Sequence, residues 1–194
     1  MFIATKEHRR FVEFADAVRR DRYIGLCYGP AGVGKTLSAR RYAHWDTAEP
    51  LLEIWGPRED SDAKIYAALA RSRTVFYTPE VKATHKALVD ELRTITARVD
   101  ACIDQHVRTG PKFHGRWNRY EHVELLVIDE ADRLSPIALE HLRDRFDRHH
   151  LGLLLIGMPG IEKRLAAYPQ LYSRIGFAHQ YRPLANDELT FVLT

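Results

Sequence analysis

The stretch Gly29-Pro30-Ala31-Gly32-Val33-Gly34-Lys35-Thr36 has the form G-x-x-x-x-G-K-[ST], and its surroundings decide the fold. It follows the apolar run Tyr23-Ile24-Gly25-Leu26-Cys27-Tyr28 and precedes a helix-forming stretch to about Tyr42. That is the strand, loop, helix order a phosphate-binding loop requires. Its glycines let the backbone wrap closely around a phosphate chain and turn several N–H groups inward, while the following helix adds the partial positive charge of its N-terminus. Lys35 is expected to neutralise β- and γ-phosphates and Thr36 to place its hydroxyl on Mg²⁺. A nucleoside triphosphate, ATP or GTP, is the expected ligand.

Downstream, Val123-Glu124-Leu125-Leu126-Val127-Ile128 is a nearly continuous apolar run, as in a strand of a parallel sheet covered on both faces, and it ends in Asp129-Glu130. In a nucleotide hydrolase Asp129 would hold Mg²⁺ through water, and Glu130 would orient the attacking water and accept its proton. A carboxylate at a strand end is by itself more often a cap or a surface charge. The phosphate loop upstream is what favours the catalytic reading.

Between and beyond these motifs the chain alternates. Phe11, Phe14, Ala15 and Val18 space out an N-terminal helix over roughly 5–20, and Leu51-Leu52-Glu53-Ile54-Trp55 suggests a short strand. Ser61 is a candidate cap for a helix through Ala70. Thr74–Tyr77 reads as a buried strand stopped by Pro79, and Leu88, Leu92, Ile95, Val99 and Cys102 mark a long helix ended by Gly110-Pro111. Ser135 and Pro136 open another helix, Leu151–Ile156 forms a strand, Leu165–Leu171 a short helical stretch, and Gly176–Tyr181 a last strand. The fold class is α/β, a parallel sheet flanked by helices with ligands at the C-terminal ends of the strands.

Bulk properties exclude several classes. A formal charge of +3 does not announce a nucleic-acid binder, but the segment Arg108–Arg119 interleaves Arg108, Lys112, Arg116 and Arg119 with Phe113 and Trp117, followed by Tyr120. Such mixing suits phosphate contacts and stacking, and it equally suits a solvated loop whose aromatics fold back. Cys27 and Cys102 form no framework or zinc pattern, which favours a reducing compartment. No apolar signal core or membrane span is present, so a soluble, cytoplasmic protein is expected.

The string Asp129-Glu130-Ala131-Asp132 spells a signature of RNA helicases, yet the next strand ends in Gly157-Met158-Pro159 without their Ser-Ala-Thr motif, with too few residues left in this sequence for their second domain. Most of the chain instead resembles the AAA+ ATPases, and among them transposition regulators of the TniB, TnsC and MuB type. The resemblance rests on Tyr28–Thr36, Leu126–Leu134, Leu155–Gly160 and Leu171–Gly176. It implies a P-loop NTPase core over 1–185, ATP with Mg²⁺ as cofactors, rings or filaments with ATP between subunits, assembly on double-stranded DNA, and recognition by a transposase. Hydrolysis would then promote release. Arg174 is similar to the family's arginine finger, which serves the neighbouring subunit's site.

The resemblance also places the segment from Pro79 to Lys86 beside a central channel, making Lys82, Thr84 and Lys86 the first candidates for DNA phosphate contacts, ahead of Lys112, Arg116 and Arg119. Thr84 as a helix cap is the plain alternative. Two departures stand out. Gly157 or Met158 occupies the strand end where many AAA+ proteins carry a polar residue, and Asn186-Asp187-Glu188-Leu189 opens the family's helical lid just before Thr194, so the lid is expected to be essentially absent over 186–194. The same core also serves replication helpers of the helicase-loader or origin-binding kind, and slowly hydrolysing nucleotide-gated scaffolds.

Overall fold

A computed structural model describes residues 3–56, 59–81, 84–109 and 122–184. Helix α1 (Lys6–Asp21) is capped by Thr5, whose hydroxyl accepts from the His8 N–H at 3.1 Å, and buries Phe11, Ala15 and Val18. Strand β1 (Ile24–Tyr28) leads through the glycine-rich loop to α2 (Lys35–Tyr42). Then come α3 (Trp45–Ile54), α4 (Ala63–Ser72), β2 (Thr74–Tyr77), α5 (His85–Thr109), β3 (Leu125–Ile128), α6 (Pro136–His149), β4 (Gly152–Gly157), α7 (Ile161–Ala166), α8 (Pro169–Tyr172) and β5 (Ile175–Gln180).

All five strands pair in parallel in the order β2-β3-β4-β1-β5. Side chains of a strand alternate between faces, so the complete burial of β3 and β4 means that both faces of the sheet centre are covered. The core runs along that centre through Leu26, Val127, Ile128, Leu154, Leu155 and Ile156. The expected parallel α/β sheet flanked by helices is the observed architecture.

Two local expectations are corrected. Leu51–Trp55 is not a strand: Leu51–Ile54 close α3, whose Trp45, Ala48 and Leu52 are buried at spacings of three and four, a helix face. The helix holds Pro50 within it at the loss of one rung of its hydrogen-bond ladder. Nor is Ser61 a helix cap. It lies in a 3-10 turn, Asp60–Asp62, closed by reciprocal bonds between Glu59 and Asp62, and α4 starts from Asp62. The expected cap at Ser135 is present, accepting from the Ala138 N–H at 3.2 Å. The helix end expected at Gly110-Pro111 and the lid expected over 186–194 lie outside the described residues.

Candidate nucleotide-binding site

Strand register brings three chain segments level at one edge of the sheet. Tyr28 pairs with Gly157 and Ile128 with Leu155, so Gly29, Asp129-Glu130 and Gly157-Met158 emerge side by side at the strands' C-terminal ends. Gly34 caps α2 with φ of 102°, a left-handed conformation that a side chain would strain, and accepts from the Ser38 N–H at 3.0 Å. Gly32 has φ of 76°. These values bend the loop over the helix terminus, with Pro30 and Ala31 exposed and Val33 packed partly onto the core.

Lys35 is buried to 9% exposure, and its Nζ donates to the carbonyls of Gly29 at 2.6 Å and Pro30 at 2.7 Å. A buried ammonium needs such partners. Thr36 Oγ1 donates to Asp129 Oδ2 at 2.6 Å, joining the loop to the end of β3. Asp129 is 3% exposed, and its other oxygen accepts the Glu130 N–H at 2.9 Å. A hydroxyl and a carboxylate in contact form a hard oxygen donor set of the kind Mg²⁺ takes, so these residues fit that cofactor. Behind the loop, burial pushes the Cys27 thiol up to about 12, which keeps it protonated and unreactive.

Glu130 stands at φ of 48°, uncommon for a residue with a side chain, at the entry to a 3-10 turn, Ala131–Arg133. Its carboxylate pairs with Arg133, whose Nη1 donates to the Pro79 carbonyl beyond β2 at 2.9 Å. The turn thereby spans from β3 to the segment Pro79–Lys86.

The other candidates fall elsewhere. Arg174 directly precedes β5, and its carbonyl accepts the Ile24 N–H at the start of β1, the sheet end opposite the phosphate loop. A five-residue strand is about 17 Å long, too far for Arg174 to serve its own loop. Its Nε and Nη2 grip Asp147 at 2.7 and 3.0 Å, and the guanidinium holds that carboxyl below the usual range. Thr84 accepts the Ala87 N–H at 3.2 Å as a cap at the start of α5, and Lys86 is exposed in the first turn. Lys82, Lys112, Arg116 and Arg119 lie outside the described residues.

A buried hydroxyl junction beside the loop carries no motif of its own. Ser38 Oγ meets Tyr181 OH at 2.8 Å and His8 Nδ1 at 3.0 Å, while the Tyr181 N–H donates to the Tyr28 carbonyl at 2.8 Å. Only the position of Ser38, one turn into α2, pointed to it.

A parallel sheet carrying a glycine-rich loop with a buried lysine, whose threonine meets a strand-end aspartate, defines a P-loop nucleotide-binding protein. Residues 18–165 match the AAA domain family, and the chain belongs to that family. It is 43% identical over 196 residues to a "Potential ATP-binding protein" of Staphylococcus aureus, covering 99% of this chain and 71% of that protein. It is 26% identical over 181 residues to the "Mu-like prophage FluMu DNA transposition protein B" of Haemophilus influenzae, covering 90% of this chain and 54% of the relative.

Among solved structures, the fold is similar to the ORC1 protein of Aeropyrum pernix in complex with DNA, with a TM-score of 0.52 at 19% identity. It is likewise similar to Cdc6p of Pyrobaculum aerophilum, with a TM-score of 0.54 at 15% identity. The alignments cover 100% and 98% of this chain and 48% of each of those. No helix among the described residues is long and apolar enough to cross a membrane.

Proposed function

We propose that this chain is an ATPase whose nucleotide state governs its assembly on double-stranded DNA, acting as a regulator of transposition with a transposase as partner. The observation that carries the ATPase part is the 2.6 Å contact between Thr36 and Asp129 with Glu130 next in the chain. The transposition part is supported by the 26% identity to a DNA transposition protein and by the stretches Leu155–Gly160 and Leu171–Gly176, which resemble that group.

In this reading the loop N–H groups and Lys35 hold the β- and γ-phosphates, Thr36 and Asp129 hold Mg²⁺, and Glu130 takes the proton of a water aligned with the γ-phosphorus. Mg²⁺, when held there by Thr36 and Asp129, would supply charge neutralisation to the triphosphate. Glu130 must leave Arg133 to reach that water. Arg174 of an adjacent subunit would stabilise transition-state charge, and Lys82 and Lys86 would contact DNA phosphates without reading bases.

The test pairs two variants. Lys35→Ala should lose nucleotide binding, whereas Glu130→Gln should keep it and lose turnover. ATP-dependent binding to duplex DNA, measured with both, should fail in the first and persist in the second. Unaltered hydrolysis by Glu130→Gln, or DNA binding indifferent to nucleotide, would sink the reading.

A further inference from the structure

The strand end between the phosphate loop and Asp129-Glu130 carries no polar side chain of its own, since Gly157 has none and Met158 presents a thioether that is 44% exposed. A carboxylate from the adjacent turn occupies that place instead. Asp132 Oδ2 accepts the Met158 N–H at 2.8 Å, and it lies 2.7 Å from where a Cβ on Gly157 would stand. Any side chain at 157 would displace Asp132 or Ile161, whose Cδ1 would be 2.4 Å away. The glycine and the aspartate are thus two halves of one arrangement.

The turn does not need this bond to hold its shape. Arg164 of α7 donates to the carbonyls of Asp132, at 2.5 Å, and of Leu134, and the Leu134 N–H closes on Ala131 at 3.2 Å. Arg133 ties the same turn to Pro79. With the turn secured by these four other contacts, the Asp132 carboxylate adds a link of a different kind. It joins the backbone at the end of β4 to the turn that begins at Glu130, two residues before it.

We infer that Asp132 is a positioning residue for nucleotide hydrolysis, supplying from the neighbouring turn the polar group that the end of β4 lacks and coupling Met158 to the placement of Glu130. The inference rests on the reading of the site as an ATPase. A phosphate that shifts the Met158 backbone would move Glu130 through a single hydrogen bond, and the charge on the acceptor makes that bond about twice as strong as a neutral one.

The test uses the full chain with saturating ATP, Mg²⁺ and duplex DNA. Asp132→Ala should lower kcat by about tenfold or more, the scale of losses at residues that orient catalytic groups. Nucleotide Kd and the thermal midpoint should stay near those of the unaltered chain. Asp132→Asn, which still offers Met158 an acceptor oxygen, should recover most of the rate, as should Asp132→Ala combined with Met158→Asn, which returns a polar group to the strand itself.

If Asp132→Ala turns over normally while Glu130→Gln is inactive, the inference is wrong and the site reading stands. Loss of nucleotide affinity and thermal stability along with rate would make Asp132 a structural tie only, again overturning it. If Glu130→Gln hydrolyses ATP at the full rate, or the unaltered chain does not hydrolyse it, both fall together.

Discussion

Thr36 and Asp129, 93 positions apart in the chain, share a hydrogen bond of 2.6 Å. It is the point at which the helix after the phosphate loop and the end of β3 become one site. Because the pair would hold Mg²⁺ and not the triphosphate itself, Thr36→Ala should weaken MgATP binding more than binding of metal-free ATP. Calorimetric titration with Mg²⁺ and with EDTA gives both affinities. An equal loss in the two would place Thr36 on the phosphate instead.

Arg174 lies a strand's length from its own phosphate loop and is held by Asp147. If it serves a neighbouring subunit, Arg174→Ala and Lys35→Ala should each be inactive alone and regain part of the activity when mixed, because some sites would then combine an intact loop with an intact finger. Removal of one arginine finger costs on the order of a thousandfold in rate or more, so the recovery would be easy to see. Mixtures no more active than their components would exclude a shared site.

Lys86, exposed in the first turn of α5, and Lys82 should each contribute one phosphate contact. Changing both to alanine should weaken all duplexes alike and reduce the slope of log affinity against log salt by roughly two. Should the slope stay unchanged, the contacts would have to come from the basic aromatic segment with Arg116 and Trp117. Lys112 and Arg119 would be the next pair to change.

Acidification should destabilise the chain. Burial first, then Arg41 and Arg9, hold His8 below the ordinary imidazole value of 6.5, and burial with His85, Arg145 and Arg93 does the same to His141 against a small opposing effect of Asp144. At His179 burial outweighs the neighbouring Glu7 carboxylate, and Arg10 and Arg182 add to the lowering. In the unfolded chain these rings regain protons as pH falls through 6.5, while the folded chain resists until lower pH, so stability drops over that window and is full above it. The urea midpoint should therefore fall between about pH 7 and 5.5, less steeply in His141→Gln. A midpoint that rises on acidification would contradict this sign.

The phosphate loop is legible in the sequence because positive φ at Gly32 and Gly34 restricts those places to glycine, and β3 is legible because a doubly covered strand must be apolar throughout. Leu51–Trp55 misleads for a related reason. A short apolar run fits a buried strand as well as a helix end, and the residues that settle it, Trp45 and Ala48, lie earlier in the chain. In sequence Thr84 fits a phosphate contact and a helix cap alike, and the described residues display the cap geometry. The meeting of Ser38 with Tyr181 and of Asp132 with Met158 joins residues whose types are ordinary and whose proximity arises only from the sheet order.

That order also sets a sequence of events. Strand β1 lies between β4 and β5, and its partners, Leu153–Gly157 and Ile175–Gln180, are made long after it. On the ribosome Ile24–Tyr28 therefore emerges with no strand beside it, whereas β2 and β3 can pair with each other sooner. Contacts so distant along the chain close slowly. The phosphate loop is made before the strands that support it, so a nascent chain gains a formed nucleotide site only once β4 and β5 have emerged.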